Sequence, residues 1–140
     1  NAGHIVNVSS IFGIVSMPSQ GAYNASKFAV RGFTEALRQE LHNSNVRVSC
    51  VHPGGVKTDI ARSARFYQGI NGQCDATRAA SDFDKLARTT PEQAARIIVE
   101  GLKSKRPRIL IGNDARLLDW IQRLLPGAYP KLLAMLLRKR

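Results

Sequence analysis

The run Tyr23-Asn24-Ala25-Ser26-Lys27 sets a phenol and an ammonium four residues apart. On a helix that spacing puts both side chains on one face, within interaction range. A free tyrosine, with a pKa of about 10, is a poor proton donor or acceptor at neutral pH, and a fixed cation beside it draws that pKa toward the working range. The pair therefore suits proton transfer, although Tyr and Lys at this spacing also occur as a plain surface pair. Ser10 ends an apolar run that begins at His4, and a hydroxyl there can hold a substrate oxygen. Serines at strand ends also commonly bond their own backbone. Pro53-Gly54 closes a second apolar run, with Thr58 shortly after.

The elements that must position these groups follow from periodicity. His4-Ile5-Val6-Asn7-Val8-Ser9 is short and β-branched and reads as a buried parallel strand. From Ala22 to about His42, apolar residues Ala25, Ala29, Phe33, Ala36, Leu37 and Leu41 recur at three- and four-residue intervals, which predicts a long amphipathic helix. Val46 to His52 supplies a second strand, stopped by Pro53-Gly54-Gly55. Strand, helix and strand make a right-handed crossover unit. In such sheets ligands bind at the carboxyl edge of the strands, where Ser10, Pro53 and Gly54 all fall.

Residues 57–90 turn small, polar and weakly periodic, which predicts a mobile substrate loop or lid carrying one or two short helices. Thr90 then caps a helix that opens with Pro91 and Glu92. Arg108 to Ile111 reads as a third strand. A helix from about Asp114 to Leu124, a break at Pro126-Gly127 and a last apolar-basic helix running to Arg140 complete the chain. The fold class expected is α/β, a doubly wound parallel sheet of the Rossmann-like kind. Residues 1–112 form the C-terminal half of such a domain and residues 113–140 a helical, basic and apolar tail. Three strands alone leave open hydrogen-bonding edges, so a preceding half of the domain is expected upstream of Asn1.

The 140 residues carry 44% hydrophobic content, enough for one core, and a formal net charge of +11 concentrated late in the chain. There is no nucleic-acid module and no interleaving of aromatic and basic residues, so no nucleic-acid partner is predicted. Cys50 and Cys74 lack CxxC or metal spacing and fit ordinary thiols in a reducing compartment. His4, His42 and His52 share no spacing and no partner acids, so no metal site is predicted. No stretch approaches the length of a membrane-spanning helix. The expectation is a cytoplasmic protein, or one peripheral to a membrane.

Asn7-Val8-Ser9-Ser10-Ile11-Phe12-Gly13, then Tyr23-Asn24-Ala25-Ser26-Lys27, then Pro53-Gly54-Gly55-Val56-Lys57-Thr58 resemble the short-chain dehydrogenase/reductase family in both letters and spacing. The resemblance implies NAD or NADP as cofactor, and hydride transfer between a carbonyl and a secondary alcohol. It makes Ser10 the residue that hydrogen-bonds the substrate oxygen, Tyr23 the acid/base, and Lys27 the group that holds ribose hydroxyls and lowers the Tyr23 pKa. Ser10 is preferred to Ser9 because the family's serine stands thirteen positions ahead of the tyrosine. Pro53, Gly54, Val56 and Thr58 resemble the segment that meets the nicotinamide end, alongside Tyr23 and Lys27. The resemblance also implies a homo-oligomer through the helix bearing Tyr23.

Departures matter as much. No Gly-rich dinucleotide fingerprint occurs in the sequence. Asn1-Ala2-Gly3 lies directly before the first strand, whereas the family's Asn-Ala-Gly follows an earlier one. Phe66 and Tyr67 either line a substrate pocket or form a small core under the loop. The tail, with Leu117, Trp120, Leu124 and Leu133 among basic residues, suits an anionic membrane surface, another subunit, or its own domain. The substrate expected is a small carbonyl or alcohol of hydrophobic character. The alternative is a catalytically incompetent, truncated member of the fold that binds a membrane or partner through its tail.

Overall fold

The computed structural model describes residues 2–65 and 75–138. Its elements run β1 (Gly3–Val8), a 3-10 turn (Ile11–Gly13), α1 (Gly21–Glu40), β2 (Val46–Pro53), α2 (Ile60–Ser63), α3 (Ala76–Leu86), α4 (Pro91–Lys103), β3 (Arg108–Ile111), α5 (Asn113–Leu124) and α6 (Tyr129–Arg138). The three strands form one parallel sheet in the order β1-β2-β3. Gly3 pairs with Val46 and Val8 with Val51, while Cys50 pairs with Arg108 and Pro53 with Ile111.

Alternation along the strands separates two faces. Val51, Ile109 and Ile111 pack with Ala94, Ile97 and Ile98 of α4 on one face. On the other, the Asn7 amide donates to the Thr34 hydroxyl of α1 at 3.0 Å, and Thr34 in turn donates to the Val30 carbonyl at 2.6 Å. Helices on both faces of a parallel sheet give the doubly wound architecture expected from the sequence, and the central strand β2 is buried on both sides for that reason, whereas β1, read from its letters as buried, is an edge strand with Ile5 and Val8 exposed.

The α4 terminus forms as its letters predict. The Thr90 hydroxyl accepts from the Gln93 N–H at 3.2 Å, the Gln93 side chain accepts from the Thr90 N–H at 3.0 Å, and Pro91 takes the first turn. The segment read as weakly periodic carries more helix than its letters suggest. There α3 runs for eleven residues with Asp75 as its cap and Ala80 buried. Phe66, Tyr67 and Cys74 lie outside the described residues.

The tail folds back on the domain. Ala115 of α5 and Tyr129 and Leu133 of α6 form a cluster with Ile11, Ile14 and Val15, directly after Ser10. The Tyr129 hydroxyl accepts from the Ser16 N–H at 3.3 Å. A charged chain ties α1, β3 and α5 beside this core. Arg108 donates to Glu35 at 3.2 Å and to Asp119 at 2.9 Å, Arg31 bonds Glu35 at 3.0 Å, and Arg123 bonds Asp119 at 2.9 Å. Glu35 sits below the ordinary carboxylate range. Burial pushes it up, but the hydrogen bonds and charges of Arg31 and Arg108 together outweigh that.

Candidate functional site

The carboxyl ends of β1 and β2 and the first two turns of α1 meet at one edge of the sheet. Past Val8 the chain stays on β2 for one more bond, from the Ser9 N–H to the Val51 carbonyl at 2.8 Å, and then turns. The two consecutive serines, both buried, divide the work there. Ser9 donates its hydroxyl to the backbone carbonyl of Lys27 at 2.7 Å. Ser10 accepts at its hydroxyl from the Phe12 N–H at 3.1 Å and so caps the 3-10 turn. A hydroxyl that accepts from the backbone still has its proton to give. Ser10 thus keeps a hydrogen-bond donor for a ligand oxygen, while the Ser9 proton is committed to the fold.

Gly13 makes this junction close. A Cβ there would collide with the Ser9 hydroxyl and would stand 2.7 Å from the Lys27 carbonyl oxygen. The 3-10 turn therefore lies directly on the α1 backbone at the level of Lys27.

On α1, the Lys27 ammonium lies 5.6 Å from the Tyr23 ring centroid and donates to the Val8 carbonyl at 3.3 Å. The lysine is thereby held at the end of β1 beside the phenol, as the four-residue spacing implies. The Tyr23 ring is 37% exposed and meets Phe12 edge-on, with centroids 6.2 Å apart. Phe12 is also the residue whose N–H binds Ser10. Among the described residues nothing bonds the Tyr23 hydroxyl.

Behind Ser10 stands a group that the sequence offered only as an ordinary histidine. His52 is fully buried, and its Nδ1 lies 3.0 Å from the Ser10 carbonyl oxygen. Burial pushes its pKa down, against the raising effect of that bond. The ring is therefore neutral at pH 7. A carbonyl only accepts, so the single proton is assigned to Nδ1, and Nε2 is left as a buried acceptor without a partner among the described residues. Cys50, one turn of the pleat away, is buried as well. Burial pushes its thiol up, which makes it a poor nucleophile.

The segment after β2 is braced from a distance. The Gly54 N–H donates to the Ile111 carbonyl at 2.9 Å, and the Gly55 N–H donates to the Asp114 carboxylate of α5 at 2.6 Å. A Cβ on Gly54 would strike that carboxylate. Val56 then forms an isolated parallel bridge with Thr89, through Lys57 N–H to Thr89 C=O at 2.9 Å and Thr89 N–H to Gly55 C=O at 3.3 Å. In a parallel bridge of this kind the bonded groups belong to the flanking residues. The N–H and C=O of Val56 itself point to the opposite side and have no partner among the described residues. Pro53 and Gly54 are half-buried and Thr58 is exposed.

Local pattern gave no sign of His52 or Asp114 as parts of this edge. Their partners are backbone atoms 42 and 59 residues away. A cavity of about 410 Å³ lies between α2 and α3, lined by residues including Ala61, Arg62, Ala80 and Asp84.

Residues 1–68 match a family model described as short chain dehydrogenase. The Mycobacterium tuberculosis protein named "Putative oxidoreductase SadH" is 47% identical over 135 residues, covering 94% of this chain and 48% of that protein. A Drosophila melanogaster protein named dehydrogenase/reductase SDR family protein 7-like is 32% identical over 130 residues, covering 91% of this chain and 38% of its own length. The chain thus spans about half or less of the length of these relatives. Among solved structures, a short-chain dehydrogenase/reductase from Burkholderia phymatum in complex with NAD superposes with a TM-score of 0.74 at 29% identity, over 88% of this chain and 47% of that one. A short-chain dehydrogenase from Burkholderia cenocepacia in complex with NADP gives 0.73 at 25% identity, over 95% and 48%. By sequence and by fold together, this chain belongs to the short-chain dehydrogenase/reductase family.

Proposed function

We propose that this chain carries the catalytic residues of an NAD(P)-dependent oxidoreductase that interconverts a carbonyl and a secondary alcohol, with Tyr23 as acid/base. The observation that carries this reading is the Lys27 ammonium, tethered to Val8 and held 5.6 Å from the Tyr23 ring. The likeness to family structures complexed with NAD and with NADP supports the choice of cofactor.

The donor set suits the nicotinamide end of a dinucleotide. The free N–H and C=O of Val56 match the two halves of a carboxamide, and Lys27 supplies an ammonium for ribose hydroxyls. Tyr23, Pro53, Gly54 and Thr58 complete that side of the edge. The nicotinamide, when bound, supplies or accepts the hydride.

In the reducing direction Ser10 donates its remaining proton as a hydrogen bond to the substrate carbonyl oxygen and so fixes its orientation. Tyr23 transfers its phenolic proton to that oxygen as negative charge develops there. Lys27 stabilises the charge left on the tyrosine oxygen, and its bond to Val8 keeps the ammonium in place without reorganisation during the reaction. His52 holds the Ser10 carbonyl, and Asp114 holds the loop that presents Val56. In the reverse direction Tyr23 takes the proton from the alcohol. The substrate loop of this reading is residues 57–90, of which Phe66 and Tyr67 lie outside the described residues, and self-association runs through α1, where Phe28 and Phe33 are exposed.

The test is Tyr23→Phe in the protein as its host makes it, with carbonyl reduction followed through NADH or NADPH consumption. Loss of the acid should cost at least about 100-fold in kcat. Unchanged turnover would remove Tyr23 from the mechanism and favour a non-catalytic member of the fold.

A further inference from the structure

Helices α5 and α6 are apolar on two sides, and the domain uses only one of them. On α5 the inner side chains Ala115, Leu118 and Ile121 pack on the turn that follows Ser10. The outer residues Leu117, Trp120 and Leu124, spaced three and four apart, are 61%, 63% and 70% exposed. On α6, Leu133 faces inward while Met135 is 63% exposed. A three-residue apolar ridge on one helix, with a further exposed apolar residue on the next, is more than the scattered exposed leucines of an ordinary surface.

Charge decides what covers it. Helical spacing places Arg116 and Arg123 along one border of the Leu117, Trp120 and Leu124 ridge, and Lys131 is exposed on α6. One acid of this region is occupied away from the ridge, and the other is shared between Arg123 and an inner arginine. Asp114 holds Gly55, and Asp119 lies buried between Arg108 and Arg123. The ridge is therefore bordered by cationic groups, on a chain whose net charge is +11. A two-fold contact with a second copy would set those cations against their own images. An anionic surface attracts them instead, and an indole at the border between apolar and polar surroundings suits the headgroup region of a bilayer.

We infer that α5 and α6 dock this protein on an anionic lipid surface, with Leu117, Trp120, Leu124 and Met135 at the acyl boundary and Arg116 and Lys131 among the headgroups. No described helix is long and apolar enough to cross a membrane, so the contact is peripheral. The inference does not depend on the proposed reaction, because vesicle binding is read without turnover.

The experiment is co-sedimentation of the protein, as its host makes it, with vesicles of phosphatidylcholine alone and with vesicles carrying about 30% phosphatidylserine. Retention on the anionic vesicles, released by added salt, is the expected result. Trp120→Ser combined with Leu124→Ser should weaken that retention by at least about tenfold. Both side chains point outward, and an unchanged melting temperature checks that the fold survives. Arg116→Glu, which removes little apolar area, should also weaken binding. Absence of binding to either vesicle, or binding indifferent to all three substitutions, would overturn the inference. So would an oligomer that the paired substitution dissociates in the absence of lipid, because the ridge would then belong to a contact between copies.

Discussion

The Ser9 hydroxyl donates to the backbone carbonyl of Lys27 at 2.7 Å, which fastens the end of β1 to the turn of α1 that carries the ammonium. Its neighbour Ser10 has a proton to spare. Ser9→Ala should therefore cost about 1 kcal/mol of stability and leave most of the turnover, since it removes one internal hydrogen bond. Ser10→Ala should cost about 100-fold in kcat by removing a donor aimed at the reacting oxygen. Denaturant midpoints and steady-state rates on the two variants separate the roles. Equal losses of turnover would move the substrate contact away from Ser10.

Gly13→Ala tests the closeness of the same junction. The added methyl has Ser9 on one side and the Lys27 carbonyl oxygen 2.7 Å away on the other, and a helix backbone cannot step aside cheaply. Overpacking of this kind costs about 1–3 kcal/mol, read as a lowered melting temperature. A neutral outcome would mean that the 3-10 turn is free to lift off α1.

His52 makes stability depend on pH. Its folded pKa lies below the ordinary 6.5, so the unfolded chain binds the proton more readily than the folded one. The stabilisation is fully present above about pH 6.5 and is lost as the pH falls from there through the folded value. Urea unfolding at pH 7.5 and pH 5.5 should show a loss for the natural protein and a smaller loss for His52→Gln. An identical loss in both would assign the pH dependence to other groups.

The charged chain at Arg108 should be the most sensitive polar position in the core. Arg108→Gln leaves the buried Asp119 with Arg123 alone and Glu35 with Arg31 alone, at a cost of about 3 kcal/mol for breaking a largely buried pair. In the natural protein the depressed Glu35 contributes stability above about pH 4.5 that fades as the pH falls through its lower folded value. The Arg108→Gln variant should lose part of that acid dependence. A variant as stable as the natural protein would show that the network adds nothing net.

Much of the scaffold was legible because it is written in short-range pattern. β-branched runs gave the strands, apolar spacing gave α1, and Thr90 and Pro91 marked the start of α4. Tyr23 and Lys27 were legible for the same reason, since four residues on a helix fix proximity. α3 was weakly legible because its residues are small and mostly exposed, so the apolar stripe is thin. His52 against Ser10 and Asp114 against Gly55 were not legible at all. Each joins a side chain to a backbone atom on a distant element, and backbone atoms have no letter in the sequence. The tail was legible as an amphipathic pattern but not in its orientation, which depends on Tyr129 and Leu133 meeting Ile14 and Val15.

The outer edge of β1 bears on how these 140 residues behave in a tube. Among the described residues one side of the strand is paired and the other is not, and Ile5 and Val8 on this strand are exposed. A row of unsatisfied peptide groups flanked by apolar side chains is a template for a strand from any other molecule. Produced by itself, the segment carries a built-in tendency to stack edge to edge into inclusion bodies. Its excess of positive charge works against that stacking through mutual repulsion, so recovery of soluble material should be best at low ionic strength and should fall as salt screens the charge.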